Sequence, residues 1–293
     1  MISIIIPAHN EARVIGRTLE ALLSGSSPGE VEVIVVANGC TDETADIARQ
    51  FGTPVRVIET QIADKIHALN LGDAHATHYP RIYSDADVLL PLATIRELHA
   101  CLKNTAALAA GIVPRFCLTG CSWAVRAFYE VNARLPSSRE GIGGSGVYAL
   151  SQAGRARFQQ FPNVTADDGF VRILFEPSER VSLDTVACTV FPPRRLKDLI
   201  AIKARSQFGN YQLALRYPTL WKNRGKTNNK ALLRALANPF LWPKCAVYLF
   251  VKIEARRLAK RRLATVGEKH VPWARDESSR GEASPPVARN AYR

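Results

Sequence analysis

The feature that most constrains the fold of this chain is a series of short apolar segments, rich in β-branched residues, separated by stretches with helical spacing. Residues 2–6 and 31–36 are apolar at almost every position, which is typical of parallel strands buried on both faces. Residues 55–58 and 81–84 continue the series. Because strands alternate with helical patterns, we expect an α/β fold with a doubly wound, mostly parallel sheet.

Local signals place the other elements. Pro7 is expected to end the first strand, because proline cannot donate to a sheet ladder. Residues 65–72 have the spacing of a helix with a glycine near its end. Further along, we expect one strand within residues 106–116 and a Gly-rich loop at residues 143–146 that leads into another strand.

Charge is distributed unevenly along the chain. Residues 1–189 hold 16 Lys and Arg against 20 Asp and Glu, whereas residues 190–293 hold 23 against 6. We therefore expect three parts. These are an α/β domain over residues 1–192, a basic amphipathic helical extension over residues 193–265 that associates with a membrane, and a disordered tail over residues 266–293.

The basic half allows three interpretations. An apolar, aromatic stretch over residues 239–253 precedes a run of Arg and Lys. At about 15 residues, the stretch is shorter than the roughly 20 that cross a bilayer. It can lie on an anionic membrane surface, where aromatic rings and cations anchor helices, or contribute to nucleic-acid binding, or pack on the preceding domain as a core helix. We favour the membrane surface.

A pair of carboxylates follows the fourth predicted strand. Asp85 and Asp87 are two residues apart and therefore point to the same side of an extended segment. If the strand ends there, they face the crevice where ligands bind in open α/β sheets. Such a pair can hold a divalent cation through its oxygens, although an isolated Asp-x-Asp is more often a solvated turn.

Four further segments accompany this pair. The five together are Pro7-Ala8-His9-Asn10-Glu11, Ala37-Asn38-Gly39-Cys40-Thr41-Asp42, Lys65 with Ala68-Leu69-Asn70 and Gly72, Asp85-Ala86-Asp87, and Ala166-Asp167-Asp168. In this order and spacing they resemble the inverting glycosyltransferases of family two, which have the GT-A fold. The resemblance covers roughly residues 1–210, and it implies that residues 1–192 form a GT-A catalytic domain.

The resemblance implies a donor site for a nucleoside diphosphate sugar. It assigns to the nucleotide Pro7, His9, Glu11, Asn38, Asp42, Lys65 and Asp85. Glu11 would orient the base or ribose, and Lys65 would approach the diphosphate. Asn38 stands where the family usually has the acid that contacts uracil, which leaves the identity of the base open.

The resemblance also implies the catalytic groups. Asp87, with Asp85, would hold Mg²⁺ or Mn²⁺ against the two phosphates. The base that deprotonates the acceptor hydroxyl would come from Asp167 or Asp168, and we favour Asp168. Both acids also have the positions of a helix cap and first turn. The pocket for the donor sugar or acceptor would include Gly144, Ser145, Gly146 and Arg205.

We therefore predict a metal-dependent, inverting glycosyltransferase. Its expected partners are a nucleoside diphosphate sugar, a hydroxyl acceptor such as a polyprenyl-linked glycan in polysaccharide assembly, and an anionic membrane. No secretory signal is recognised in the sequence, so we expect a cytoplasmic protein on the inner face of the inner membrane. A nucleotidyltransferase is one alternative, but only Arg13 and Arg17 could supply its phosphate loop. A nucleic-acid-binding protein that uses the basic half is another, which we favour less.

Overall fold

The structure, a computed structural model, describes residues 1–225 and 228–267. The strands in these residues are β1 (Ile2–Ala8), β2 (Val31–Asn38), β3 (Val55–Thr60), β4 (Arg81–Ser84), β5 (Ala109–Ile112), β6 (Arg115–Phe116), β7 (Val147–Leu150), β8 (Arg180–Leu183) and β9 (Thr189–Val190). The helices are α1 (Ala12–Leu23), α2 (Thr44–Arg49), α3 (Lys65–His75), α4 (Leu92–Asn104), α5 (Trp123–Asn132), α6 (Gln152–Arg155), α7 (Asp167–Leu174), α8 (Leu196–Arg216), α9 (Asn229–Leu236) and α10 (Trp242–Val266).

A seven-stranded sheet in the order β3-β2-β1-β4-β7-β5-β8 forms the centre of the described chain. Strands β1 to β4 run parallel, β7 runs antiparallel to both of its neighbours, and β8 is again parallel to β5. Strands β6 and β9 form a separate parallel pair. The predicted α/β fold with a mostly parallel sheet is confirmed.

Both faces of the central strand are buried. Ile4 and Ile6 pack with Ile15 of α1 on one face, while Ile5 packs with Leu69 of α3 on the other. A fully buried Ile or Leu side chain contributes about 1.5–3 kcal/mol through the hydrophobic effect. Burial on both faces explains why this strand has no polar alternation in the sequence.

Two predicted boundaries were wrong. β1 continues through Pro7 to Ala8. Pro7 has no backbone N–H, but β4 pairs with β1 only as far as Ile5, so no hydrogen bond between β1 and β4 is lost at Pro7. The single strand expected within residues 106–116 is divided into β5 and β6. Pro114 lies at the break and cannot donate a ladder hydrogen bond.

The basic extension is helical, as predicted, and one side of it packs on α5. Phe128 of α5 and Tyr248 of α10 stack with their ring centroids 5.1 Å apart. Lys244 forms a 2.6 Å ion pair with Glu130 of α5. The packing interpretation is therefore correct for one face of α10. The domain boundary after residue 192 stays a prediction.

Within residues 1–225 and 228–267, no helix has both the length and the hydropathy needed to cross a membrane. The predicted disordered tail over residues 266–293 lies, from residue 268 onward, outside the described residues.

Candidate functional site

A cavity of about 250 Å³ lies at the carboxyl ends of the central strands. Chain connections run from β1 outward through β2 and β3, whereas β4 lies on the other side of β1, so the order reverses between β1 and β4. Ligand sites in open α/β sheets lie at such a reversal. The cavity is lined by residues from segments far apart in the chain, among them Pro7, Glu11, Lys65, Asp85, Asp87, Gly144, Ser145, Gly146, Asp167, Asp168, Lys203 and Arg205.

Asp85 and Asp87 lie just past the end of β4, and both line the cavity. The backbone N–H of Asp85 donates to the carbonyl of Gly146 at 2.8 Å, which holds the aspartate segment against the Gly-rich loop. This contact exists because β7 pairs directly with β4. The strand-end placement expected from the sequence is therefore observed.

Lys65 connects two of the acidic segments. It is the first residue of α3, a helix capped by the side chain of Asp64. Its ammonium lies 2.7 Å from Asp85 Oδ1 and 3.0 Å from Asp167 Oδ1. Burial alone would lower the pKa of Lys65, but the carboxylates of Asp167 and Asp85 outweigh it and raise that pKa above its usual value. Lys65 therefore stays charged at neutral pH.

The two aspartates at the start of α7 have different surroundings. The side chain of Asp167 is only 6% exposed, pairs with Lys65 and accepts a hydrogen bond from the Tyr148 hydroxyl at 3.1 Å. Burial raises the pKa of the Asp167 carboxyl, although Lys65 opposes the shift. Asp168 is more accessible and accepts hydrogen bonds from the backbone N–H groups of Gly144 at 3.0 Å and Gly169 at 2.7 Å.

Gly146 permits the close approach of the loop to Asp85. Its φ is +71°, a region that side-chain-bearing residues rarely adopt. A Cβ at this position would lie 2.9 Å from Asp85 Oδ2 and 2.9 Å from Val88 Cγ2. The glycine is therefore required by both the backbone conformation and the neighbouring carboxylate.

Three residues predicted to bind the nucleotide, namely His9, Asn38 and Asp42, are not among the residues that line the cavity. Asn38 is fully buried, and its amide donates to the carbonyl of Ala8 at 2.9 Å, joining the ends of β1 and β2. Asp42 accepts from the backbone N–H groups of Ala12 and Thr44, at 3.1 Å each. His9 Nδ1 contacts the Asn38 carbonyl oxygen at 2.7 Å. Direct contact of these three with a nucleotide stays a prediction.

Lys203 lines the cavity and was not among the predicted site residues. Its ammonium lies 5.6 Å from the ring centroids of both Phe128 and Tyr129. The sequence contains one signal for this position. Lys203 follows Leu199 by four residues, so a cation lies on the apolar face of α8, where an amphipathic helix usually carries a hydrophobic residue.

The carboxylates suit a divalent cation that is completed by substrate oxygens. Within residues 1–225 and 228–267, no three His, Cys, Asp or Glu side chains are grouped as a metal site. Mg²⁺ is commonly bound by one or two carboxylates together with substrate phosphates, and Asp85 and Asp87 at one cavity wall supply that number. The donor set therefore fits a cation held jointly by protein and substrate.

Comparison with known proteins identifies the family. Residues 3–147 match glycosyl transferase family 2. The 4,4'-diaponeurosporenoate glycosyltransferases of Staphylococcus aureus strains USA300 and NCTC 8325 are 41% identical over 91 residues, which are 30% of this chain and 24% of those proteins. The chain thus spans about a quarter of the length of the curated relatives it matches.

Solved structures share the fold at low sequence identity. The mannosyltransferase PcManGT from Pyrobaculum calidifontis, in complex with GDP-Man and Mn²⁺, has a TM-score of 0.60 and 22% identity over 91% of this chain and 75% of that one. Glucosyl-3-phosphoglycerate synthase from Mycobacterium tuberculosis, with Mn²⁺, UDP and phosphoglyceric acid, has a TM-score of 0.53 and 20% identity over 73% and 78%. S. aureus TarS 1-349 with UDP-GlcNAc has a TM-score of 0.52 and 13% identity over 89% and 92%.

The predicted resemblance is confirmed by these comparisons, which agree with the sheet topology and with the position of the cavity. The chain belongs to glycosyl transferase family 2 and has the GT-A fold.

Proposed function

We propose that this protein transfers a sugar from a nucleoside diphosphate sugar to a hydroxyl acceptor, with inversion at the anomeric carbon. One observation carries the proposal. Asp85, Asp87, Asp168 and Lys65 come from three separate segments and line one cavity at the switch point of the sheet. A displacement of this kind needs stabilisation of a departing diphosphate and a base for the incoming hydroxyl, and both kinds of group are present.

The donor would lie on the side of Asp85 and Asp87. These carboxylates would hold Mg²⁺ or Mn²⁺, which as a bound Lewis acid offsets the charge that develops on the leaving diphosphate. Lys65 contributes a second positive charge there and also fixes the position of Asp85, at 2.7 Å. Gly146 keeps the opposite wall close to that carboxylate.

Asp168 is the better placed of the two candidate bases. Its two backbone hydrogen bonds orient the carboxylate, and it keeps access to the cavity. Asp167 is occupied by Lys65 and Tyr148 and almost fully buried. We therefore assign proton abstraction to Asp168 and a positioning role to Asp167. A single displacement by a deprotonated hydroxyl accounts for inversion and needs no covalent intermediate.

The relatives define a panel of donors for a direct test. GDP-Man, UDP-GlcNAc and UDP occur in the related structures, two of them with Mn²⁺. Thermal unfolding would be followed with UDP-glucose, UDP-GlcNAc and GDP-mannose, each with and without Mn²⁺. We expect at least one donor to raise the melting temperature only when Mn²⁺ is present. Asp87→Asn should remove that shift.

Asp46→Asn is the matched control, because Asp46 on α2 is 72% exposed and pairs only with its helical neighbour Arg49 among the described contacts. Its response to donor and Mn²⁺ should equal that of the wild type. Absence of metal-dependent stabilisation by any donor, with Asp87→Asn behaving like the wild type, would refute the proposal. Salt-sensitive DNA binding under those conditions would favour the nucleic-acid alternative instead.

We further propose that the enzyme acts at the cytoplasmic face of the inner membrane on a lipid-linked acceptor. Four apolar side chains on the outer side of the C-terminal region are 49% to 89% exposed to solvent. They are Phe240, Trp242, Phe250 and Ile253. The next turns of α10 expose cations, namely Arg256, Arg257, Lys260 and Arg261. Such a surface suits an anionic interface, where each cation contributes about 1 kcal/mol.

Vesicle sedimentation tests this location. We expect binding to vesicles containing phosphatidylglycerol, weak binding to phosphatidylcholine alone, and loss of binding in a Trp242→Ser/Phe250→Ser variant. Ile62→Ser is the control, since Ile62 is also exposed, at 53%, but lies between β3 and α3. Equal binding by all three proteins would contradict the proposed surface.

A further inference from the structure

One cation on the cavity wall formed by α8, Lys203, has no paired acid among the residues that the structure describes. Lys203 is partly buried and faces the rings of Phe128 and Tyr129. Among residues 1–225 and 228–267, no carboxylate lies within ion-pair distance of its ammonium. By contrast, the ammonium of Lys65 across the cavity contacts two carboxylates. The two cavity lysines are therefore in opposite electrostatic situations.

A second lysine increases the unpaired charge. Lys252 of α10 is also partly buried, and no carboxylate in the described part of the chain pairs with it. Burial, and to a smaller extent repulsion from Lys252, lowers the pKa of Lys203 to about 8. Lys203 is thus mostly protonated at neutral pH, although it is partly desolvated. A partly buried cation without a counterion is costly, and an anion bound beside it would offset that cost.

The position of Lys203 in the cavity associates its positive charge with the acceptor substrate rather than with the donor. Lys203 lines the same cavity as Asp168, the proposed base, and the negative charge of Asp168 partly offsets the lowering of the Lys203 pKa. A base must lie within hydrogen-bond reach of the acceptor hydroxyl that it deprotonates. The donor diphosphate already has Lys65 and the metal-binding pair on its own side. An anion near Lys203 would therefore belong to the second substrate.

We propose that Lys203, backed by Lys252 and seated against Phe128 and Tyr129, binds an oxyanion of the acceptor, a phosphate or a carboxylate. The inference rests on the proposed function and extends it, because it defines a chemical class of acceptor. The relatives include enzymes whose names or bound ligands contain a carboxylic acid, and they give this class a precedent.

Binding of simple probes tests the site. Affinities for decyl phosphate, inorganic phosphate, decanoate and decanol would be measured by titration calorimetry on the full chain, in the presence of Mn²⁺ and saturating UDP or GDP. We expect the wild type to bind one or more of the three anions about tenfold more tightly than decanol. A difference of this size corresponds to one charge-assisted hydrogen bond. The anion that binds identifies the headgroup and shows whether a free phosphate suffices.

Variants connect the effect to this residue. Lys203→Met should weaken anion binding by about tenfold, and Lys203→Arg should retain most of it, which shows that the pocket is still folded. Lys197→Met removes an exposed cation from the same helix and should change affinity less than twofold. Nucleotide affinity should stay within twofold of the wild type in all three.

Three results would overturn the inference. These are unchanged anion affinity in Lys203→Met, decanol binding as tightly as the anions, or a loss of nucleotide affinity that matches the loss of anion affinity. The third would place Lys203 at the donor phosphate. Failure of the proposed function itself is distinguishable, because nucleotide and Mn²⁺ would then not bind even to the wild type.

Discussion

Replacement of Lys65 by Met tests the electrostatic design of the site most directly. Asp167 is 6% exposed at its side chain, and the Lys65 ammonium 3.0 Å away is its charged partner. Removing one partner of a buried ion pair costs about 3–5 kcal/mol, because the remaining charge stays desolvated. Asp85 is 36% exposed and can be solvated by water, so its unpaired carboxylate adds at most about 1 kcal/mol. We therefore expect a loss of about 3 kcal/mol in the free energy of unfolding at pH 7.

The pH dependence follows from the direction of the Asp167 shift. Its folded pKa is raised, so its contribution to stability is complete below the unfolded pKa and is lost as the pH rises through the folded pKa. Without Lys65 that pKa rises further, and the loss extends to higher pH. The raised pKa of Lys65 keeps its own contribution constant between pH 5 and 8. The deficit of Lys65→Met should thus be smaller at pH 5 than at pH 8.

Thermal unfolding by circular dichroism measures this deficit. About 3 kcal/mol lowers the melting temperature by roughly 6 °C for a chain of this size. The double variant Lys65→Met/Asp167→Asn removes the stranded charge and should recover most of the loss, whereas the exposed control Lys103→Met should unfold like the wild type. A Lys65→Met deficit that is below 1 °C, or that is the same at pH 5 and pH 8, would refute the reasoning.

Three other changes have definite expected outcomes. Asp168→Asn should lower kcat for nucleotide release by about 10²- to 10⁴-fold without weakening donor binding, and activity within tenfold of the wild type would contradict its role as the base. Gly146→Ala should weaken donor binding in calorimetry, because its methyl group displaces Asp85; Gly144→Ala, also at positive φ but with open space around the added Cβ, should weaken it much less. Phe128→Ala should cost about 3 kcal/mol in urea unfolding, since the ring is fully buried, and a cost under about 1 kcal/mol would contradict its packing role.

Local sequence patterns were sufficient where one element determines its own structure. The apolar runs predicted β1 and β2, because a strand buried on both faces cannot carry polar residues in its interior. The same reasoning placed Asp85 and Asp87 beside Pro7 and Glu11, since parallel strands present their carboxyl ends at one edge of a sheet.

Local patterns were insufficient where a residue's surroundings come from elsewhere in the chain. Nothing within residues 106–116 indicates that β7 lies between β4 and β5, and this insertion is what brings Gly146 against Asp85. Asn38 has the sequence position of a ligand residue, yet its side chain is fully buried and its amide donates to the Ala8 carbonyl of the neighbouring strand.

The sequence by itself determined the α/β class, the order along the chain of the segments that carry the acidic residues, and the family resemblance, because these depend on residue type and spacing along the chain. Only the tertiary structure decided which aspartate is paired and which is accessible, and it brought Lys203 to the cavity wall. The physical reason is that desolvation and charge pairing depend on groups that are distant in the sequence and come together only when the chain has packed. Asp167 and Asp168 are neighbours in the chain, yet Lys65 and Tyr148 approach only the first.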